Sequence, residues 1–439
     1  MDEREPIGVV GAGWVGLVTA ACFAELGHRV VVREIVPEKV EALQSGELSF
    51  YEPGLVELIE KNADRLTFTI QMDLLLESAR LVFVCVQTPP THSGDADLSA
   101  VTQAVEEIGS GVDRALVMKS TVPVGTGRTI KRQAPDLAYV SCPEFLREGT
   151  AVKDFMEPDR VVIGADRDDE WAADAVAAVY EPLGAPTIRT DIPSAEMIKL
   201  ASNAFLATKI SFINEIANVS EGVGADVTEV ARGMGMDDRI GPKFLRAGAG
   251  YSGSCLPKDV SGLKQLAGNS GYHFQLLTAV IEVNELQKRR LVGKLSHHIG
   301  SLVDKRIALL GLAFKPDTDD MRDAASLVLA ARLESEGAKV TAYDPVAEER
   351  AGELLPTVEM AASALDALEG ADAAVLVTEW PEFAELDWNQ VAELMNNPLI
   401  VDGRNFLDAE AIRAAGIAYD GIGRPPHDVE AGQQTSGGD

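Results

Sequence analysis

Two short stretches combine residue types that could do redox chemistry together. GAGWVG places Gly11, Gly13 and Gly16 after an apolar strand and at the opening of a helical pattern. Gly11 would permit the tight turn, Gly13 the backbone's approach to a pyrophosphate, and Gly16 close helix–sheet packing. The helix N-terminus supplies free N–H groups to phosphates. Glu34 ends the next strand, where an acid would bind ribose hydroxyls and repel a 2′-phosphate, favouring NAD over NADP. Arg33 and Lys39 nearby leave room for NADP. The second stretch, GAGYSGSCLPKDV from Gly248 to Val260, holds Cys255 in a glycine- and serine-rich turn with Lys258 and Asp259 behind it. A helix starting after that turn would put Cys255 at its N-terminus, where the dipole and Lys258 favour thiolate over thiol. A thiolate beside a nicotinamide points to aldehyde oxidation through a thiohemiacetal, hydride loss, a thioester and hydrolysis.

Polar pairs at helical spacing extend the set. Lys199 and Asn203 are four apart in an apolar helical pattern and share a face. They could grip one hydroxyl or its alkoxide, or stand on a solvated face. CPEFLREGTAVKDF carries Glu144 and Glu148, again four apart, with Arg147 between them. Either acid could be a general base, or both could be surface charge; spacing does not choose.

The elements that must position these residues repeat. Residues 7–35 read strand, turn, helix, strand, and RLVFVCVQTP and ALVMKSTVP continue the alternation, with shorter strands at Val161 and Pro186. This predicts an α/β fold with a parallel, doubly wound sheet. From Ser194 about 28 residues read as one helix, ending at Gly222 and Gly224, with apolar residues on more than one face. From Lys305, RIALLGLAFKP, DAASLVLAARLESEG and AKVTAYDP echo the N-terminal pattern without its glycine fingerprint. The expected organisation is a Rossmann-like NAD-binding domain over 1–193, a central helical domain over 194–300 that carries Cys255 and packs between domains or subunits, and a second Rossmann-like domain over 301–424. A polar, Gly-rich tail over 425–439 is expected to be disordered.

Composition narrows the classes. The formal net charge of −30 repels nucleic acids and anionic membranes, and any anionic substrate needs local cations. No apolar run approaches the roughly 20 residues that span a bilayer. The acidic start, MDEREP, does not read as a signal peptide, so a cytoplasmic location is expected. The four cysteines show no CxxC pair, and no metal site is expected. Cys22 and Cys85 lie in apolar segments and read as inert core residues.

Taken together, GAGWVGL, YEPGL, STVPVGT, PEFLREGTAVKDF, PDRVVIG, KLASNAFLATKISFINE, GSCLPKD, GLAFKPDTDDMRDA and DGRN resemble the nucleotide-sugar 6-dehydrogenase family over nearly the whole chain. The resemblance implies oxidation of a sugar C6 alcohol to a carboxylate with two NAD⁺, with UDP-glucose the leading substrate. TDP-glucose, GDP-mannose and a non-catalytic nucleotide-sugar sensor are the alternatives. It makes Cys255 the nucleophile, with Lys199, Asn203 and Asp259 around the reacting oxygen and Glu144 with Thr121 serving thioester hydrolysis. It assigns nucleotide-sugar contacts to Leu146, Glu148, Lys199, Asn203, Phe244, Leu245, Tyr251, Phe314, Lys315 and Arg404. Arg239 would come from the partner subunit of a homodimer. Cofactor contacts fall on Gly11, Gly13, Trp14, Val15, Gly16, Glu34, Lys39, Thr88, Thr121, Glu148, Lys258 and Arg322.

Several positions depart from the family pattern. Glu34 replaces the usual Asp, Trp14 the common Tyr, Ser252 a usual Gly, and Gln87 a small residue. Cys142 stands where Asn is usual and reads as a packing residue or a second thiol near the site.

Overall fold

A computed structural model describes residues 4–91, 94–109 and 113–425. The tail expected to be disordered lies, but for Pro425, outside the described residues. The chain forms two compact units. The first comprises Met1–Phe205, Cys255–Leu277 and Asp317–Asp319; the second comprises Leu206–Ser254, Thr278–Pro316 and Asp320–Asp439. The helical stretch 194–300 is thus divided between them.

The first unit is built on eight short strands: β1 (Ile7–Val10), β2 (Val30–Arg33), β3 (Leu66–Thr69), β4 (Leu81–Val84), β5 (Ala115–Met118), β6 (Ala138–Ser141), β7 (Val161–Ala165) and β8 (Thr187–Thr190). Their order is β3-β2-β1-β4-β5-β6-β7-β8. β1, β4, β5 and β6 are buried along their whole length, as both-faced packing of a parallel sheet demands. β1 pairs with β2 on one side and β4 on the other, so the strand order reverses at its carboxyl end, where such sheets bind ligands.

One expectation needs correction, because β7 joins β6 antiparallel. A parallel return needs a crossover, usually through an α-helix, whereas an antiparallel partner does not. Here the connection is spent on the Pro143–Thr150 loop and a six-residue helix, Ala151–Met156, and β7 comes back in the opposite direction.

In the second unit β9 (Arg306–Leu310), β10 (Lys339–Tyr343), β11 (Glu359–Met360), β12 (Ala373–Leu376), β13 (Leu399–Asp402) and β14 (Ala418–Gly421) form a parallel sheet. Their order, β11-β10-β9-β12-β13-β14, is the Rossmann arrangement. The internal echo read from the sequence is therefore topological. Each unit has its own apolar core: Leu17, Phe23, Phe83 and Val140 contribute to the first, Leu309, Leu329, Val375 and Val401 to the second.

The long helix runs Ile192–Val223, 32 residues or about 48 Å, starting two residues before the expected Ser194. Asp191 Oδ1 accepts from Ser194 N at 2.8 Å and satisfies a donor of its first turn. Phe205, Phe212 and Val219 are 65%, 49% and 62% exposed. They recur every seven residues and form one apolar stripe along the helix. A second long helix, Gln275–Ile299, follows the Cys255 segment.

Candidate active site

The glycine turn behaves as its spacing predicts. Gly11 has φ +99°, and a Cβ there would lie 2.8 Å from the Cys85 carbonyl oxygen. A Cβ on Gly16 would lie 1.9 Å from the Gly11 carbonyl oxygen, so helix and turn meet only if both are glycine. A Cβ on Gly13 would meet nothing within 4 Å, leaving open space on the backbone. Gly13 caps the helix Trp14–Glu25, which has no side-chain cap and no acid in its first turn, so its leading N–H groups remain for phosphate. The longer acid still reaches the turn: Glu34 is buried and accepts from Ala12 N at 3.0 Å and Ile35 N at 2.8 Å. Thr88 Oγ1 donates to the Thr121 carbonyl at 2.9 Å and joins the loops that follow β4 and β5. Val15 is half-buried and Lys39 exposed. These groups fit a dinucleotide at the reversal point of the sheet.

The second unit's equivalent turn is filled instead. Asp344, after β10, is buried and accepts from Leu312 N at 2.7 Å and Ala313 N at 3.0 Å. The backbone N–H groups of Leu312 and Ala313 are thus already taken.

Cys255 caps the helix Leu256–Asn269, as the turn before it predicts. It is partly exposed, whereas Cys22, Cys85 and Cys142 are buried. Burial pushes the thiols of Cys22 and Cys142 up, and that of Cys85 up to about 12. Cys142 is almost fully buried within the first unit's apolar core, as a packing residue would be. Lys258 Nζ pairs with Asp259 Oδ1 at 2.6 Å, and Cys255 is among the groups that raise the Lys199 pKa.

Lys199 and Asn203 do share an inward face, both less than a tenth exposed. Lys199 Nζ donates to Glu144 Oε1 at 2.7 Å, and Asn203 Nδ2 to Asp259 Oδ2 at 2.6 Å. Glu144 Oε2 also accepts from Leu146 N at 2.5 Å. Burial works against the Lys199 ammonium, but Glu144, Cys255 and Asp259 outweigh it and raise its pKa. Lys199 is therefore a cation at neutral pH, able to donate to an oxygen placed beside it. A cavity of about 20 Å³, enough for one water, is lined by Thr121, Leu200, Lys258 and Asp259 among others.

Glu148 is buried and accepts from Thr318 Oγ1 at 3.4 Å, so the two acids of PEFLREG are neither of them surface charge. Two groups escaped the sequence reading. Glu196 accepts from Gly125 N at 2.6 Å and Gly127 N at 2.8 Å, fixing the end of the STVPVGT loop. Arg160 stacks on the Phe145 ring, its guanidinium carbon 3.6 Å from the centroid. Neither signals itself locally, because the partners are backbone groups or lie in another segment.

In the second unit, Phe314 and Lys315 follow β9 and Arg404 follows β13. Arg404 is tied down by Nε to the Val377 carbonyl at 2.6 Å and Nη2 to the Phe314 carbonyl at 3.0 Å. Leu245 and Tyr251 are buried, Phe244 adopts φ +64°, and Ala249 N donates to the Gly403 carbonyl at 2.8 Å. Two of the expected local cations thus meet around Phe314, with Lys315 Nζ 5.4 Å from its ring centroid. Arg239 does not join them; it is highly exposed and bound to Asp237. Arg322 is bound by the Asp320 carboxylate, Nη2 to Oδ2 at 2.8 Å. The Ser252 hydroxyl is buried with no hydrogen-bond partner among the described residues.

The fold and the glycine turn define an NAD-dependent dehydrogenase. Residues 5–184, 193–286 and 308–409 match, in turn, the NAD binding, central and UDP binding domains of the UDP-glucose/GDP-mannose dehydrogenase family, and the chain belongs to that family. It is 46% identical over 431 residues to the UDP-glucose 6-dehydrogenase TuaD of Bacillus subtilis, covering 95% of this chain and 93% of that protein. It is 41% identical to the UDP-glucose 6-dehydrogenase AglM of Haloferax volcanii, covering 95% and 99%. The structure of a UDP-glucose dehydrogenase from Pyrobaculum islandicum matches with a TM-score of 0.89 at 36% identity, over 96% of this chain and 98% of that one. No described helix is long and apolar enough to cross a membrane.

Proposed function

We infer that this protein oxidises UDP-glucose to UDP-glucuronate in two steps at one sulfur. The observation that carries the reading is the buried constellation of Lys199–Glu144 and Asn203–Asp259 beside Cys255 at a helix N-terminus. The substrate follows from the relatives, all three named above being UDP-glucose dehydrogenases.

NAD⁺, which the glycine turn and Glu34 would hold, would supply the hydride acceptor for both oxidations. The protein's residues do the rest. The C6 hydroxyl proton passes to solvent by way of the Asp259 carboxylate, while Lys199 and Asn203 hold the C6 oxygen as it becomes the aldehyde oxygen, donating toward its developing negative charge. The Cys255 thiolate adds to the aldehyde carbon, and loss of a second hydride from that carbon leaves a thioester. Glu144, with Thr121, positions a water and takes its proton as it attacks the thioester carbonyl, and the C–S bond breaks to return the thiolate. One water is consumed, and the alcohol leaves as a carboxylate.

The nucleotide is assigned to Phe314, Lys315 and Arg404, whose cations offset the acidic surface locally. The stripe of Phe205, Phe212 and Val219 supports a homodimer, since a stable interface excludes such side chains from water. The exposed Arg239 is assigned across that interface. The buried unlinked thiols accord with a reducing, cytoplasmic setting. Product analysis with NADH counting tests the reaction: two NADH per UDP-glucose support it. One NADH with release of the aldehyde, or none with UDP-glucose bound, refutes it.

A further inference from the structure

Glu52, in the YEPGL stretch, is buried and takes part in none of the steps above. Its carboxylate accepts from three donors on two separate segments. Oε2 takes the indole N–H of Trp14 at 2.7 Å and the backbone N–H of Gly149 at 2.8 Å; Oε1 takes the backbone N–H of Ala151 at 2.8 Å. Trp14 opens the helix that follows the glycine turn, and Gly149 and Ala151 close the segment that carries Glu144 and Glu148.

We propose that Glu52 is a positioning residue that holds the cofactor turn and the Glu144–Glu148 segment in one register, so that dinucleotide binding is felt at the hydrolytic carboxylate. The inference rests on the dehydrogenase reading and adds to it a coupling element.

Three features favour coupling over plain capping. A cap for the helix Ala151–Met156 needs only the two backbone bonds, yet the oxygen bound to Gly149 is shared with a side chain from the other segment. That side chain sits in the first turn of the helix aimed at the dinucleotide. The segment has little freedom to adjust by itself, since a Cβ at Gly149 would lie 2.9 Å from Asp317 Cβ and the Asp317 carbonyl oxygen. All three partners are donors, so only a group with two acceptor oxygens satisfies them. A glutamine would turn its amide toward one of those N–H groups.

The test uses hydrogen exchange of the full-length protein with and without saturating NAD⁺, together with steady-state kinetics. In the wild type, NAD⁺ should slow exchange at Gly11–Gly16 and at Gly149–Ala151. Trp14→Phe keeps the carboxylate and both backbone bonds but cuts the link. It should keep slowing at the glycine turn and lose at least fivefold of it at Gly149–Ala151, with an unchanged melting temperature. Glu52→Gln should raise KM for NAD⁺ and lower kcat together, each at least tenfold. Rescue by Glu52→Asp is expected for neither, because the shorter arm cannot span both segments. Undiminished NAD⁺ protection at Gly149–Ala151 in Trp14→Phe, or Glu52→Gln kinetics within twofold of wild type, overturns the proposal. No slowing at the glycine turn of the wild type would instead overturn the NAD reading itself.

Discussion

Asn203 Nδ2 and Asp259 Oδ2 lie 2.6 Å apart, joining the long helix to the helix that Cys255 caps. The bond is buried at both ends, and the other Asp259 oxygen is taken by Lys258. Asp259 is thereby held one turn beyond the nucleophile with both oxygens oriented.

Asp259→Asn should reduce turnover far more than stability. The amide is isosteric, but it must face Asn203 or Lys258 with a donor, and the carboxylate beside the reacting oxygen is gone. A loss of about 10²–10⁴ in kcat is expected, the usual scale for a positioned acid or base. NADH release under saturating substrate measures it. A kcat within threefold of wild type removes Asp259 from the chemistry.

Cys255→Ser should abolish formation of the acid while leaving UDP-glucose affinity within about threefold by calorimetry. Only the covalent step needs the sulfur. Native thiol labelling offers an independent check, because three of the four cysteines are buried with their thiols held protonated. One equivalent of iodoacetamide should be taken up per chain, at Cys255, with loss of activity in parallel. Fast labelling at Cys142 would show a second reactive thiol near the site.

Lys199 carries a definite pH signature. Its folded pKa is raised above the unfolded value, so the stabilisation it provides is complete below about pH 10.4. That stabilisation fades only as pH climbs through the still higher folded value. Any alkaline limb in activity below about pH 9 must come from another group and should persist in Lys199→Arg, whose side chain does not titrate there. Disappearance of such a limb in the arginine variant would show that Lys199 loses its proton earlier. Lys199→Met should cost about 3–5 kcal/mol, read as a lowered melting temperature, because Glu144 is left buried without its counter-ion.

How much of this was legible depends on whether partners are close in sequence. The glycine turn, Glu34 and the Lys199–Asn203 face each rest on a spacing of strand or helix, and the structure has them where the spacing put them. Glu144 and Lys199 are 55 residues apart, and no local pattern says that they pair. Glu52 is harder still, since two of its three partners are backbone N–H groups almost a hundred residues away. The direction of β7 was not readable either, because an apolar strand looks the same in either orientation. The pairing of Lys258 with its own neighbour Asp259 was no more readable, because adjacent residues can point to different partners.

The apolar stripe on the long helix should behave as an interface. Phe212→Asp places a charge where the seven-residue repeat of Phe205, Phe212 and Val219 would be desolvated, and an unpaired buried charge is strongly unfavourable. Light scattering after gel filtration should show the wild type at twice the chain mass and the variant shifted to the monomer. Arg239→Ala should leave the dimer intact and raise KM for UDP-glucose by about tenfold or more, as loss of a charge-assisted contact to a phosphate would. In the monomeric Phe212→Asp variant, a further Arg239→Ala change should add nothing, because the arginine no longer reaches a partner's substrate. If Arg239→Ala still raises KM in the monomer, the arginine serves its own chain and the assignment across the interface is wrong.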